Sequence, residues 1–327
     1  MYLEFYGLKE KPFNILPDPD FFYLSQWHQQ AITHIEYGLM NGDSLILLTG
    51  DAGTGKTSII YKLVIDRCED TLVGVIFNSG VSGDHIVEMI LTELEAEIPE
   101  NPTPASCLNA LQDFLLETYT RGEKKVLLIM DEAQNLSDEA LEQVRMISNL
   151  QAGKDNLISI LMVGQSGFRA RLRKARYSQI VQRIVVSAHL SRLREQEVSE
   201  YIYYRLRKGG AEDPFSVFTE EAIAKVSEYS YGVPRNINVI CEGALIYGFA
   251  DDICPVTGEI VESFAKERIE EGLLTAPDQI DRDEHCDLNE YVIGLEKRVA
   301  SLEASVGIVK RTLVKIIKTL KRITQQK

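Results

Sequence analysis

A chain of 327 residues, 45% hydrophobic and 26% charged, is long enough for two domains or three small ones and can bury a full core. Its net charge of −14 excludes non-specific attraction of the whole molecule to nucleic acid, leaving only a local basic surface for that role. Cys68, Cys107, Cys241, Cys254 and Cys286 form no C-x-x-C pair and no Cys/His cluster at ligand spacing, which excludes a zinc site and a disulfide framework.

Residues 1–43 open with Tyr6-Gly7-Leu8, Lys11-Pro12-Phe13, Pro17-Asp18-Pro19 and Phe21-Phe22-Tyr23-Leu24. So many aromatics predict an irregular arm packed on a domain, because a free tail would carry fewer. Met1 to Tyr6 has no signal-segment character, and apolar runs such as Val126 to Met130 and Ile160 to Val163 fall far short of the ~20 residues that cross a bilayer. A cytoplasmic protein is expected. Ser25 to Leu39 then reads as a helix, with Ala31, Ile32, Ile35 and Leu39 on one face.

Ser44 to Thr49 is a buried-strand run, and it leads into Gly50-Asp51-Ala52-Gly53-Thr54-Gly55-Lys56-Thr57, which fits the phosphate-loop pattern G-x-x-x-x-G-K-[ST]. Ser58 to Ile65 continues as a helix. The glycines let backbone N–H groups face phosphate oxygens, Lys56 neutralises β/γ charge, and the Thr57 hydroxyl is placed to hold Mg²⁺. The positive end of the following helix adds to the same field. A nucleoside triphosphate site with Mg²⁺ is the expectation.

Leu72 to Asn78 is the second buried strand, and Asp84 to Ile98 and Ala105 to Thr120 carry helical spacing. Lys125 to Met130 is the third strand, ending in Asp131-Glu132, the acidic pair in which one carboxylate reaches Mg²⁺ and its neighbour orients an attacking water. Ser137 is the expected N-cap of the next helix, with Asp138 and Glu139 in its first turn. Leu157 to Gln165 is a fourth strand, whose terminal Gln165 amide is placed to touch a γ-phosphate or the water. Asn78, at the end of the second strand, is a candidate to hold Glu132 in an inactive rotamer.

Arg183 precedes the fifth strand, Ile184 to Leu190, in a region crowded with Arg169, Arg171, Arg173 and Arg176. There it is a candidate to enter a neighbouring subunit's site, the competing reading being a solvated basic face. Strands that are apolar throughout and alternate with helices imply a parallel sheet covered on both faces, the α/β class. From Arg194 to about Leu273 the pattern turns all-helical, over 195–208, 219–230, 234–249 and 258–271, and Arg235 opens one of these helices within reach of a γ-phosphate.

Residues 274–290 are acidic and without apolar periodicity, as a linker is. Beyond them Val292, Leu295, Val299, Leu302, Val306, Val309, Leu313, Ile316, Leu320 and Ile323 alternate steps of three and four, a heptad seam that predicts a coiled coil. Residues 291–327 hold nine Lys/Arg against two Glu, so this tail is +7 and the remainder −21. The tail is expected to recruit a protein partner, with an anionic membrane surface as another taker.

Together the phosphate loop, Asp131-Glu132, Gln165, Arg183 and Gly232-Val233-Pro234-Arg235-Asn236 resemble an AAA+ ATPase. That resemblance implies a P-loop NTPase sheet of order 5-1-4-3-2, a helical lid, and a homo-oligomer, ring or otherwise, in which sites are shared. More narrowly, Tyr6-Gly7-Leu8, Lys11-Pro12-Phe13, Pro17-Asp18-Pro19, Tyr201-Ile202 with Arg205-Leu206, and the Gly-Val-Pro-Arg-Asn stretch are similar to the ExeA-like (general secretion pathway protein A) ATPases over about residues 1–270. The membrane span and peptidoglycan-binding domain of that family's namesake are not visible here. The resemblance implies an ATPase that powers or regulates assembly of a secretion, pilus or polysaccharide-export system. The alternative is an ATP-dependent, DNA-bound regulator of the transposition type, against which the acidity outside the tail and the lack of a helix-turn-helix weigh.

The expected organisation is an α/β nucleotide-binding domain with its arm over 1–190, a helical lid over 191–273, the linker over 274–290 and the basic coiled-coil tail over 291–327. The phosphate loop from Gly50 to Ser58 and Asp131 would bind nucleotide, Thr57 and Asp131 the metal. Glu132, Gln165, Arg183 and Arg235 would carry the chemistry.

Overall fold

In the computed structural model, five strands form one parallel sheet: β1 (Leu45–Gly50), β2 (Thr71–Ile76), β3 (Lys125–Met130), β4 (Ser159–Gly164) and β5 (Ile184–Leu190). The structure describes residues 1–274 apart from 17, 68, 78–82 and 123–124. Asn78, the acidic stretch after Leu274 and the heptad seam therefore lie outside the described residues. Spatial order is β2-β3-β4-β1-β5, the predicted 5-1-4-3-2 read from the other edge.

The central strands β1, β3 and β4 are apolar along nearly their whole length because both faces are covered, whereas the edge strand β5 leaves Val185 exposed. Leu45, Leu47, Leu128, Met130, Ile160 and Met162 enter one core, while Ile46, Leu48, Leu127, Ile129, Leu161 and Val163 enter the other. Alternate side chains of a strand point to opposite faces, so neither set reaches water. On the second face lie α1 (Gln26–Asn41) and α2 (Lys56–Arg67), through Ile32, Ile35, Ile59 and Leu63. The first face is covered by α3 (Gly83–Glu93), α4 (Pro104–Arg121) and α5 (Asp138–Ile147).

Helix ends follow local chemistry. The Ser25 hydroxyl caps α1, Thr103 with Pro104 and Ser106 forms a capping box on α4, and Ser137 caps α5 as expected. Helix α3 stops at Glu93, short of the predicted Ile98, because Glu95 turns left-handed (φ 54°) and Pro99 disfavours helix at the residue before it. Strand β4 starts at Ser159, two residues later than its apolar run. A hairpin of Gln151–Ala152 and Asp155–Asn156, which the sequence pattern did not announce, occupies the approach, and the Leu157 N–H returns to the Leu150 carbonyl at 3.0 Å.

After β4 comes the short α6 (Ser166–Leu172), and after β5 the helices α7 (Glu195–Lys208), α8 (Glu220–Ser230), α9 (Pro234–Ala250) and α10 (Gly258–Glu270). The aromatic arm runs across these later helices. Backbone N–H groups of Lys9 and Glu10 donate to the Gly209 carbonyl at 2.8 and 3.3 Å, Tyr2 donates to Glu242, and Phe13 meets Phe218 edge to face. Met1 to Glu267 forms one compact unit.

Candidate active site

Strands β1, β3 and β4 are neighbours, so the residues at their carboxyl ends fall together, where open α/β sheets bind ligands. The loop after β1 holds Gly53 (φ 79°) and Gly55 (φ 100°) in the left-handed region. A Cβ on Gly53 would stand 2.7 Å from the Arg235 Cβ, and one on Gly55 2.7 Å from His28 Nε2. Both glycines are thus needed twice, for their backbone angles and for the groups packed on the loop.

Lys56 opens α2 with its side chain buried, and its Nζ donates to the Gly50 and Asp51 carbonyls at 2.9 and 2.8 Å. Burial lowers the ammonium's pKa, and the charges of Glu132, Asp131 and Asp51 oppose that shift. The cation thus sits inside the loop, where terminal phosphates of a nucleotide would be met. Thr57 donates its hydroxyl to Asp131 Oδ2 at 3.3 Å. Burial and the like charge of Glu132 push the Asp131 carboxyl up, against the Glu132 N–H, Thr57 and Lys56. Hydroxyl and carboxylate make a hard oxygen pair that fits Mg²⁺.

Glu132 turns left-handed (φ 51°, ψ 41°), and its N–H donates to Asp131 Oδ1 at 2.8 Å. Gln165 Nε2 donates to Glu132 Oε2 at 3.4 Å. Together with Gly53 to Thr57 and Arg235, these two line a cleft of about 460 Å³. Arg235 begins α9 behind Pro234, and its N–H donates to the Gly53 carbonyl at 3.3 Å, so the phosphate loop and this helix start are in direct contact. Ala52, Thr54 and Ser58 line the cleft too. Asp51 turns instead to Ser166 Oγ and to Arg192, 2.9 Å away. Arg183 stands apart: it is half-buried at the entry to β5 and does not line this cleft.

Further contacts of the site come from residues outside the phosphate-loop and acidic-pair motifs. His28, from α1, presses on Gly55: its Nδ1 meets Ser25 Oγ at 2.6 Å and its Nε2 the Thr54 carbonyl at 3.2 Å. Since a carbonyl only accepts, Nε2 carries the proton and Nδ1 takes the serine hydroxyl's. Burial depresses the His28 pKa to about 4, with the Thr54 bond opposing. Arg205, buried on α7, donates to the Pro12 and Asn14 carbonyls and to Tyr201, under the ring of Phe21. It pins the arm at the cleft, where Ile15, Leu16 and Phe22 add apolar walls. Gln134 joins Glu132 to Gln165. A lone histidine or glutamine carries no motif, so no local signal marks His28 or Gln134, and the Tyr201-Ile202, Arg205-Leu206 pattern does not by itself show that Arg205 reaches the arm.

This sheet order, with a phosphate loop after β1, an acidic pair after β3 and a polar residue after β4, defines the AAA+ class of P-loop NTPases, and the AAA domain family model matches residues 39–172. The chain is 35% identical over 250 residues to general secretion pathway protein A of Aeromonas hydrophila, a stretch covering 76% of this chain and 45% of that one. Over that stretch it is similar to the ExeA-like AAA+ ATPases, and it spans about half the length of the curated relative it matches. Among solved structures, the Aeropyrum pernix ORC2 protein in its ADPNP–ADP complexes shares the fold with TM-score 0.58 and 16% identity, over 79% of this chain and 72% of that one. Cdc6p of Pyrobaculum aerophilum does so with TM-score 0.57 and 17% identity, over 77% and 71%.

Proposed function

We propose that this chain is a Mg²⁺-dependent ATP hydrolase that self-associates and powers or regulates assembly of a secretion, pilus or polysaccharide-export system from the cytoplasmic side. The observation that carries the reading is the convergence of Lys56, Thr57, Glu132 and Gln165 on one cleft from three adjacent strand ends, with Asp131 bonded to Thr57 behind it. Lys56 and the loop N–H groups hold the β- and γ-phosphates, and Thr57 and Asp131 hold the ion. The metal's contribution when bound is to neutralise charge on the transferring phosphoryl group. Glu132 takes the proton side of the attacking water, and Gln165 and Arg235 read the γ-phosphate.

Residues 1–190 act as the nucleotide-binding domain and 191–273 as a lid, joined at the site by the contact of Arg235 with Gly53. Arg183, outside its own cleft, completes the site of a neighbouring copy. The name of the Aeromonas relative supports the secretion setting. Among the described residues no helix is long and apolar enough to cross a membrane. The tail beyond 291 recruits the protein partner.

Glu132→Gln tests the chemistry: steady-state phosphate release should fall about 10²-fold or more while ATP still binds. Undiminished release would remove Glu132 from its role. For the shared site, Arg183→Ala and Lys56→Ala proteins, each inactive alone, should regain part of the activity when mixed. No recovery in any ratio, with subunits associated, rules out action in trans.

A further inference from the structure

The carboxylate of Glu132 is joined to the end of β4 through the side chain of Gln134. Glu132 adopts a left-handed backbone that is strained for a non-glycine residue, so the surrounding bonds must hold it there. Gln134 Nε2 donates to Glu132 Oε2, the same oxygen that Gln165 Nε2 approaches at 3.4 Å. The other end of the Gln134 amide, Oε1, accepts the backbone N–H of Gln165 at 3.0 Å. Chemistry forces this orientation: a backbone N–H only donates and a carboxylate only accepts, so the amide oxygen must face Gln165 and the NH₂ must face Glu132.

The bridge is itself anchored. Arg171 of α6 donates through Nη1 to the Gln134 and Leu136 carbonyls at 3.1 and 2.6 Å, and through Nη2 to Asp138 at 2.6 Å. Gly164 leaves the room that the amide fills, since a Cβ there would lie 3.2 Å from Gln134 Oε1 and 2.9 Å from Phe168 Cδ1. Glu132 and Gln165 line the cleft, and Gln134 does not.

We infer that Gln134 is a positioning residue for ATP hydrolysis, a two-ended amide bridge that locks the Glu132 carboxylate to the end of β4 so that Glu132 and Gln165 move as one unit. The inference rests on the reading of Glu132 as the residue that orients water. Gln134 acts through Glu132, so its loss affects turnover and spares nucleotide binding.

Gln134→Ala should lower kcat by about tenfold to a hundredfold, the scale of a misplaced catalytic group, while the affinity for a fluorescent ATP analogue with Mg²⁺ stays within about twofold. Gln134→Glu keeps the side-chain volume and the acceptor for Gln165 but turns a second carboxylate toward Glu132, so kcat should fall at least as far. It carries the test should the alanine variant not fold. In single-turnover measurements, adding Gln134→Ala to Glu132→Gln should change the rate by less than about twofold, because both act through one group. A parental kcat in Gln134→Ala or Gln134→Glu, or full additivity in the double variant, overturns the inference. Parental turnover in Glu132→Gln overturns the underlying site reading, whereas a slow Glu132→Gln beside an unimpaired Gln134→Ala overturns this inference alone.

Discussion

Two aspartates, Asp51 in the phosphate loop and Asp131 at the end of β3, both act on the charge of Lys56, yet their own charges are treated in opposite ways. Burial works to raise the Asp51 carboxyl, but the Ser166 hydroxyl, Arg192 and His189 outweigh it and hold the group below the usual carboxylate range. Burial wins at Asp131, helped by the like charge of Glu132, and that carboxyl is held above the usual range. Asp51 is therefore a latch, compensated inside the protein, joining the phosphate loop to α6 and to the segment after β5. Asp131 keeps an electrostatic cost that an incoming cation would relieve.

The sign of each contribution follows. The lowered pKa of Asp51 means stability that is present above its unfolded value and lost as pH falls through the folded one, whereas protonating Asp131 removes a cost. Neutralising substitutions should separate the two. Asp131→Asn is expected to reduce turnover by about 10²-fold to 10³-fold while leaving the ligand-free melting temperature unchanged or higher. Asp51→Asn is expected to cost about 1 kcal/mol in urea denaturation, a figure discounted for its partial exposure. Equal losses of stability in both variants would erase the contrast.

His28 extends the comparison to a group compensated by staying neutral. Its folded pKa of about 4 lies below the unfolded 6.5, so its contribution is complete above pH 6.5 and lost as pH falls toward 4. Over that interval the loss amounts to roughly 3 kcal/mol. Urea midpoints of the parent and His28→Gln, measured at pH 7 and pH 5, should show the parent losing more stability than the variant. Parallel losses would mean that His28 does not couple the phosphate loop to acid.

Much of the site was legible because it is made of short, contiguous signals. Gly53, Gly55 and Lys56 announce a loop whose shape depends on the angles of its own residues, and Asp131-Glu132 announces itself by ending a strand too apolar to be anything but central. The sheet order was legible only through family resemblance, since the strand patterns alone fit several parallel arrangements. Elements ended early or late where a distant packing partner or an isolated turn intervened, as at Glu95 and before Ser159.

What the amino-acid sequence determined by itself is what neighbouring residues impose on one another: the parallel α/β pattern, the glycine-permitted turn after β1, the caps of α1, α4 and α5, and the chemical types available to a triphosphate. Tertiary structure alone decided that His28 presses on Gly55, that Arg205 holds the arm at Pro12 and Asn14, and that Gln134 bridges Glu132 to Gln165. Each of these joins is one side chain meeting a group brought close by folding, across 26 residues for His28 and Thr54 and 193 for Arg205 and Pro12. Periodicity and spacing record only what lies a few residues apart along the chain, whereas the charge and hydrogen-bond partner of a buried polar group are set by whatever packs against it.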